Sequence, residues 1–361
     1  MVRVMVNGLS SEYEQGKMAG EVAEMILDAD NLRLYEFGLT GGDTSGSEVL
    51  LRGKTSNPTR VSLLKPENRD LWLNLADGKN YSRPDVVVDF TQPDAIDDNV
   101  DHYTKYGLPF VLGTTGYSPE QRENIVRKVE DAGLVAVIAP NMSLPIVAFQ
   151  QFMMEYADAN PNALAGHSLG ITESHQAGKK DTSGTAKAMV AYFNDLGIDF
   201  PVEGIVKIRD PDEQQEIFRV PERFLDAHGW HKYAIRRDQE NQDFSDLQRF
   251  NEAFKNFLSS NAFVDFVDSE ISGEVSYDRV RKIGEFDIKV PYSNVEFRLF
   301  NGFDIAKDID LVGIAHYVNG RNTYAEGTLD AVEFLAKRKV LRDTDGGKVY
   351  DMVDVLKAKT S

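Results

Sequence analysis

Apolar residues in the first 140 positions alternate between strand-like and helix-like spacing. Residues 2–7 (VRVMVN) form a β-rich run that stops at Gly8, and apolar side chains then recur at helical intervals from Met18 to Ile26. Further β-rich runs follow at residues 32–39, 85–90, 108–113 and 134–140. The pattern therefore predicts strands that are separated by helices.

Helix boundaries in this part of the chain are marked by residues with known capping preferences. Pro93 and Gly107 bracket one helical stretch, and Ser118 opens a capping box whose helix ends at Gly133. Each helix is long enough to link two parallel strands by a right-handed crossover. We therefore predict a Rossmann-like, doubly wound parallel sheet. Residues 40–84 are polar and poorly periodic, and no elements are placed there.

The pattern changes after Pro140. Helices are predicted at residues 146–158 and 186–196, with a last helix at 327–339. Short alternating runs dominate from about residue 200 to 325, which indicates a mixed or antiparallel sheet. The second part of the chain is therefore predicted to be α+β.

These patterns predict an α/β protein with two domains. A dinucleotide-binding domain covers residues 1–142 and is joined by the C-terminal segment 326–361. A substrate-binding and catalytic domain covers residues 143–325. A highly charged stretch at 238–305, with a helix near 247–258, is interpreted as an insertion into this second domain.

Composition and charge exclude several classes of protein. The 361 residues carry 40 Lys and Arg against 58 Asp and Glu, a net charge of −18 that repels nucleic acid and anionic membrane surfaces. No apolar run reaches the roughly 20 residues that span a bilayer. Without cysteine there is no disulfide, thiolate nucleophile or cysteine-based zinc site, and we expect no metal site. The chain starts directly with a strand, so we expect a cytoplasmic location, or the plastid stroma if a transit peptide has been removed.

The loop after the first strand has the composition of a phosphate-binding turn. A strand, Gly8, and Gly16 at the start of a helix resemble the turn that holds a dinucleotide pyrophosphate. The spacing differs from G-x-G-x-x-G, because about five residues (11–15) are inserted into a shorter G-x-x-G-x-M turn. An ordinary strand-to-helix loop is the alternative interpretation.

Small and hydroxyl residues also follow three other predicted strands, as DFT (89–91), GTTG (113–116) and APNMS (139–143). The carboxyl ends of parallel strands form the ligand crevice of an open α/β sheet, so these loops favour a nicotinamide dinucleotide. The alternative is that Gly and Thr merely end the strands. The predicted cofactor-binding residues are Gly8, Gly16, Lys17, Met18, Phe90, Gly113, Thr114, Thr115, Ala139, Pro140, Asn141 and Met142.

The residues around the second strand bear on which dinucleotide binds. An acidic residue at its end would bind the ribose 2′-hydroxyl of NADH, but the chain has Thr40 there and only Asp43 beyond it. Lys17 can instead meet a 2′-phosphate. We therefore predict NADPH as the cofactor, with NADH also accepted.

A second candidate site lies at residues 172–190 (TESHQAGKKDTSGTAKAMV). His175 can give or take a proton near neutral pH, and Lys179 supplies a cation that can hold a carboxylate or protonate a developing anion. The Ser183-Gly184-Thr185 turn precedes a helix, whose free N–H groups bind anions. Together these features predict a small dicarboxylate or phosphate ligand. The alternative is a surface loop in which Ser183 or Asp181 caps the helix.

The segment ESHQAGKKDTSGTAKA (173–188) resembles the signature of the dihydrodipicolinate reductase family, and is most similar to its plant-type branch, which has His-Gln where many bacterial members have His-His. The family's other motifs are matched in the same order. These are G-x-M at 16–18, D-F-T at 89–91, G-T-T-G at 113–116, A-P-N at 139–141, and the C-terminal segments 320–339 and 350–356.

The resemblance implies a homo-oligomeric (dimeric or tetrameric) NAD(P)H-dependent enzyme that reduces 4-hydroxy-tetrahydrodipicolinate to tetrahydrodipicolinate in the diaminopimelate route to lysine. It implies that His175 is the catalytic acid/base and Lys179 a proton donor. Gln176, Gly184 and Thr185 would contact the substrate carboxylates, beside Ser183.

Two departures from the family pattern concern the phosphate turn, where residues 11–15 are inserted and Ala19 replaces the third glycine. The stretch 238–305 is also longer than in the family. Two other kinds of protein remain as alternatives. One is another two-domain NAD(P)-dependent dehydrogenase of aspartate-family metabolism, and the other is a non-catalytic dinucleotide sensor.

Overall fold

The computed structural model describes residues 1–10, 16–41, 48–71, 83–237, 245–258, 284–290, 295–304, 309–341 and 347–360. The predicted insertion at 11–15, Asp43 and much of the stretch 238–305 lie outside the described residues. The chain groups into two compact units. The first comprises Met1–Leu144 with Tyr324–Lys359, and the second comprises Pro145–Thr323.

The described strands and the main described helices have the following bounds. In chain order the strands are β1 (Val2–Asn7), β2 (Leu32–Leu34), β3 (Phe37–Leu39), β4 (Glu48–Leu51), β5 (Thr59–Leu64), β6 (Val86–Asp89), β7 (Phe110–Leu112), β8 (Val135–Ile138), β9 (His167–His175), β10 (Val206–Ile208), β11 (His228–Arg237), β12 (Gly284–Val290), β13 (Val295–Asp304), β14 (Ile309–Asn319) and β15 (Lys348–Tyr350). The helices are α1 (Lys17–Leu27), α2 (Ile96–Tyr106), α3 (Pro119–Asp131), α4 (Leu144–Ala159), α5 (Gly184–Asp195), α6 (Ser245–Leu258), α7 (Asn322–Leu341) and α8 (Met352–Thr360).

The first unit contains a six-stranded parallel sheet in the order β15-β8-β7-β6-β1-β2. All four residues of β6 (VVVD) are buried, as expected for a central strand that is covered on both faces. The predicted parallel α/β sheet is therefore confirmed. Its edge strand β15 was not predicted, because three residues with one buried side chain give no periodic signal.

The run at residues 32–39, predicted as one strand, forms two strands in different sheets. β2 pairs with β1, whereas β3 pairs with β5 in a separate three-stranded sheet of order β3-β5-β4. Between them Tyr35 still donates its N–H to Val4 O, but the Glu36 carbonyl already accepts from Ser62 of β5. The chain changes its pairing partner at this point, which an uninterrupted apolar pattern does not reveal.

The second unit contains a mixed sheet in the order β10-β9-β11-β14-β13-β12, in which only the pair β9–β10 is parallel among the described strands. Aromatic residues of α4, α5 and α6 pack on one face, where Phe149 contacts Tyr233 and Phe254. Trp230 and Tyr317 lie in a second cluster on the other face. The α+β prediction is confirmed, and so is the helix near 247–258, which is α6.

Among the described residues, none of the helices combines the length and the apolar character that crossing a membrane requires.

Candidate functional site

The carboxyl ends of four adjacent strands bring most of the predicted cofactor residues to one edge of the first sheet. Gly8 follows β1, Phe90 follows β6, Gly113 follows β7 and Ala139 follows β8, and these strands are neighbours. A crevice of about 660 Å³ opens at this edge, within the size range of ligand sites. It is lined by Gly8, Leu9, Ser10, Gly16, Thr40, Gly41, Pro66, Arg69, Phe90, Thr91, Gln92, Asp94, Ala95 and Asp98.

Glycines allow the backbones around this crevice to approach closely. A Cβ on Gly8 (φ +92°) would lie 2.5 Å from the Phe90 carbonyl oxygen, and one on Gly16 (φ +67°) would lie 2.6 Å from the Gly8 carbonyl oxygen. A Cβ on Gly113 would lie 2.2 Å from the Phe90 ring. Gly16 also directly precedes α1, so the positive end of that helix starts at the crevice. This bare cradle fits a dinucleotide pyrophosphate.

The predicted cofactor residues differ in how they relate to the crevice. Gly8, Gly16 and Phe90 line it. The other predicted cofactor residues do not line the crevice. They are Lys17 and Met18 on α1, Gly113, Thr114 and Thr115 after β7, and Ala139, Pro140, Asn141 and Met142 after β8. Arg69 lines the crevice and donates to the carbonyls of Pro66 (3.0 Å) and Asp98 (2.8 Å). Sequence reasoning missed Arg69, because it lies in the segment without recognisable periodicity.

A buried carboxylate fixes the strand end beside Phe90. Asp89 is fully buried and accepts hydrogen bonds from the Thr91 N–H (2.8 Å) and hydroxyl (2.6 Å), Asn99 Nδ2 (3.1 Å) and Tyr103 Oη (2.6 Å). Asn7 at the end of β1 donates to the same tyrosine hydroxyl at 2.7 Å. The network ties β1, β6 and α2 together, so the crevice floor is preorganised.

The second candidate site lies at the end of β9 in the second unit. Glu173 and His175 are two residues apart and share one face of the strand. His231 of β11 is the cross-strand partner of Glu173, and His316 of β14 is the partner of His231. The His175 and His231 ring centroids are 5.1 Å apart. Sequence reasoning singled out His175 alone among these.

Arg209, which follows β10, clamps the loop between β9 and α5. Its guanidinium forms an ion pair with Glu173, which is fully buried, and donates to the carbonyl oxygens of Lys179 (2.8 Å) and Asp181 (3.3 Å). The Ser183 N–H donates to the same Glu173 carboxylate at 3.1 Å. Glu173 thereby positions both the loop and the start of α5.

The remaining predicted substrate residues lie along this loop. Lys179 Nζ is 2.8 Å from the exposed Asp181 carboxylate, so a ligand carboxylate would compete with Asp181 for this cation. Gln176 is half-buried, and its carbonyl accepts from the Lys179 N–H. Ser183 occupies the N-cap of α5 without a side-chain capping bond, and Gly184 and Thr185 begin the helix. Ser183, Gly184 and Thr185 thus form the N-terminal end of α5, and Gln176 and Lys179 lie on the loop that leads to it.

The histidines of this site are held neutral. Burial lowers the pKa of His175 to about 3, and the cations Arg209 and Lys179 add to that shift. Burial also lowers the pKa of His316 to about 3 and that of His231 well below its usual value. Arg209 and Lys179 are the cations beside these neutral histidines, each paired with a carboxylate of the chain, and a ligand carboxylate close to His175 would favour protonation of its imidazole.

Glu173, His175 and His231 also place three potential ligand atoms within 4.8 Å of one another. A carboxylate with two imidazoles is a set that zinc accepts. A dication would, however, have to compete with Arg209 for the Glu173 carboxylate. We therefore assign no metal site, and the absence of a resident metal stays a prediction.

Comparison with known proteins identifies the family. Residues 2–142 match the family model described as dihydrodipicolinate reductase, N-terminus. The chain is 31% identical to the chloroplastic 4-hydroxy-tetrahydrodipicolinate reductase 1 of Arabidopsis thaliana, over 99% of this chain and 78% of that protein. It is 32% identical to the probable chloroplastic reductase 2 of Oryza sativa subsp. japonica, over 98% of this chain and 82% of that protein.

A solved structure shows the same fold. It is the dipicolinate-bound dihydrodipicolinate reductase from Paenisporosarcina sp. TG-14, with a TM-score of 0.50, 15% identity and 97% coverage of both chains. The similarity to the plant enzymes extends over almost all of this chain, including the parallel sheet of the first unit and the segment around His175. The chain belongs to the 4-hydroxy-tetrahydrodipicolinate reductase family, the NAD(P)H-dependent oxidoreductases of the diaminopimelate route to lysine.

Proposed function

We propose that the second unit of this reductase binds the dicarboxylate substrate at the N-terminal end of α5, with His175 as the acid/base and Lys179 as a cation and proton donor. The first unit binds the nicotinamide dinucleotide at the strand-end crevice. The observation that carries the proposal is that His175 lies beside the fully buried Glu173, whose partner Arg209 also holds the backbone of the loop that carries Lys179.

Three features of the α5 end favour a dicarboxylate. Arg209 is already paired with the buried Glu173, so the cation offered to a ligand is Lys179, whose own partner Asp181 is exposed and can be displaced by a ligand carboxylate. The first N–H groups of α5, at Gly184 and Thr185, lie at the positive end of the helix dipole, which attracts an anion. Gln176 and Ser183 add hydrogen-bonding side chains. Dipicolinate, which the related bacterial structure contains, is a suitable probe of this site.

The chain's own residues would act by binding and by proton transfer. Lys179 and the start of α5 would hold the two carboxylates and so orient the substrate ring. The negative charge of the bound substrate would raise the pKa of His175, which burial and then the cations Arg209 and Lys179 lower, and so allow this imidazole to hold a proton for the reaction. The bound dinucleotide supplies the hydride.

We propose NADPH as the preferred cofactor and NADH as a second substrate. Gly8, Gly16 and Phe90 would contact the dinucleotide, with the residues after β7 and β8 beside them. Lys17 at the start of α1 and Arg69 in the crevice are the two cations that we propose for contact with a 2′-phosphate. If this is right, Arg69→Met should lower kcat/KM for NADPH more than for NADH. Equal losses for both cofactors would contradict it.

Assembly and location are also proposed. We expect a homo-oligomer, dimer or tetramer, which the exposed apolar residues Val206 and Ile217 of the second unit support. Light scattering of the purified protein checks it, and a monomeric mass would contradict it. Because several relatives are described as chloroplastic, we propose the plastid stroma, with the cytoplasm as the alternative. Imaging the full-length coding sequence as a fluorescent fusion decides between them.

The substrate site is tested by steady-state kinetics with freshly generated 4-hydroxy-tetrahydrodipicolinate and by dipicolinate binding. We expect Lys179→Met to raise KM and weaken dipicolinate binding by at least about tenfold, because one charge-assisted contact is lost. Lys180→Met is the matched control, since this exposed neighbour forms no contact among those described. Unchanged kinetics and dipicolinate affinity in Lys179→Met would sink the proposed role of Lys179.

A further inference from the structure

A row of polar side chains crosses the second sheet behind His175. Glu173, His231 and His316 are register partners on β9, β11 and β14. His231 Nε2 lies 3.4 Å from His175 Nε2 and 3.7 Å from Glu173 Oε2. The role of His231 depends on which of these nitrogens carries a proton.

The tautomer of His175 follows from its partner on β11. His175 Nδ1 lies 3.2 Å from the carbonyl oxygen of His228. A carbonyl oxygen only accepts hydrogen bonds, so Nδ1 carries the proton of the neutral ring. His175 Nε2 is then an unprotonated nitrogen that can accept a hydrogen bond or take a proton.

The tautomer of His231 follows from its burial. Only 3% of His231 is exposed, and its Nδ1 has no hydrogen-bond partner among the described residues. Its Nε2, in contrast, lies 3.4 Å from the acceptor His175 Nε2, with the Glu173 carboxylate further off at 3.7 Å. A buried N–H without a partner is costly, so the proton of neutral His231 belongs on Nε2.

The carboxylate of Glu173, which lies beside His231, is held in place by two other donors. Arg209 and the Ser183 N–H both donate to its carboxylate. Among the described residues, the titratable groups near His175 are Glu173, Lys179 from its own loop, Arg209, His228 and His231, and His316 packs behind His231 with ring centroids 4.5 Å apart. Among these, His231 is the group that places a proton at His175 Nε2.

We propose that His231 is a positioning residue, whose Nε2–H is donated to His175 Nε2 and holds the neutral imidazole of His175 with an unprotonated Nε2. When His175 takes a second proton on Nε2, this hydrogen bond is lost, and the nearby carboxylate of Glu173, 3.7 Å from His231 Nε2, is the group toward which the His231 N–H can turn. The catalytic meaning of this arrangement rests on the proposed role of His175, but the two tautomers do not.

The tautomers can be read directly by NMR of the full-length protein labelled with ¹⁵N-histidine. We expect protonated Nδ1 and unprotonated Nε2 for His175, protonated Nε2 for His231, and a scalar coupling between the two Nε2 nuclei. Protonation of His231 at Nδ1, or a doubly protonated His231 at neutral pH, would overturn the proposal whatever the enzyme's activity.

Two substitutions of similar size separate positioning from a merely structural role. We expect His231→Leu, which has no donor, to lower kcat by about 10- to 100-fold with KM changed much less, because the reacting imidazole is no longer held. His231→Gln can place an amide N–H near the same point and should recover a large part of kcat. His167→Leu, the same change at a buried histidine at the other end of β9, is the control and should leave kcat within about threefold of the parent value.

The kinetic outcomes bear on the two proposals differently. Equal kcat for His231→Leu and His231→Gln, in variants that unfold at the same urea concentration, contradicts positioning by His231. Full turnover in a His175 variant contradicts the proposed function, while the NMR result still decides the tautomers. If His231→Leu does not fold, His231→Gln and the labelled parent protein decide the matter.

Discussion

Breaking the Glu173–Arg209 pair is the strongest test of how the second unit holds its site. Arg209→Met leaves Glu173, which is fully buried, without its guanidinium partner, while the Ser183 N–H still donates to the carboxylate. Removing one partner of a buried ion pair costs about 3–5 kcal/mol, mainly because the other charge stays buried. The bonds to the Lys179 and Asp181 carbonyls add little, since water can replace them.

The assay is urea unfolding followed by tryptophan fluorescence. The chain has two tryptophans, so a Trp72→Phe background makes Trp230 the only reporter and restricts the signal to the second unit. We expect Arg209→Met to lower the free energy of unfolding by at least about 3 kcal/mol. Lys207→Met, an exposed change two residues away, should cost less than about 0.5 kcal/mol.

A second substitution checks the cause. In Glu173→Gln/Arg209→Met the uncompensated charge is gone, so the loss should be smaller than the sum of the two single losses by about 1 kcal/mol or more. If Arg209→Met costs under about 1 kcal/mol, or if the two losses simply add, the account of Glu173 as a buried charge that Arg209 compensates is refuted.

Two further predictions concern the first unit. A Cβ on Gly327 would lie 1.8 Å from the Met142 carbonyl oxygen, so Gly327→Ala should destabilise the protein by about 1–3 kcal/mol or more in thermal unfolding. A Cβ on Gly20 of α1 meets open space, so Gly20→Ala should be neutral or stabilising by up to about 1 kcal/mol. Equal melting temperatures for the two variants would refute the close packing at Gly327. Burial raises the pKa of Glu326 to about 7, with Asp330 adding to the shift. The folded state therefore holds this proton more tightly than the unfolded chain, and stability is lost as pH rises from about 4.5 to about 7. Glu326→Gln should stabilise the protein near pH 8 and not near pH 4.5, and an equal effect at both pH values would contradict the raised pKa.

The fold was predictable where the spacing of apolar residues stays constant along a single helix or strand. β6 and α5 are such cases, because their buried residues follow directly from the spacing in the sequence. The break at Tyr35–Glu36 was not predictable, since both halves of the run are apolar and only pairing with β1 or β5 separates them. β15 was missed because its three residues are defined by an edge pairing with β8.

The candidate site was predictable as far as it lies in one segment. His175, Lys179 and the turn before α5 are close in sequence, so their residue types alone marked the site. Arg209 and His231 reach it through sheet pairing, over 36 and 56 residues of chain. The sequence does contain a hint of His231. It lies two residues before the buried Tyr233 in the strand, so its side chain points to the buried face of the sheet, where a polar residue is unexpected. The sequence contains no such hint of Arg209, since a charged residue directly after a short strand such as β10 is common.

The central claim, that His175 carries acid/base chemistry in the second unit while the dinucleotide binds in the first, is tested most directly by one pair of measurements on His175→Gln. These are kcat with 4-hydroxy-tetrahydrodipicolinate and the dissociation constant for NADPH. The account predicts a fall in kcat of about 10²- to 10⁴-fold with NADPH affinity within about twofold of the parent protein. Turnover close to the parent value, or a loss of NADPH affinity as large as the loss of turnover, would contradict it.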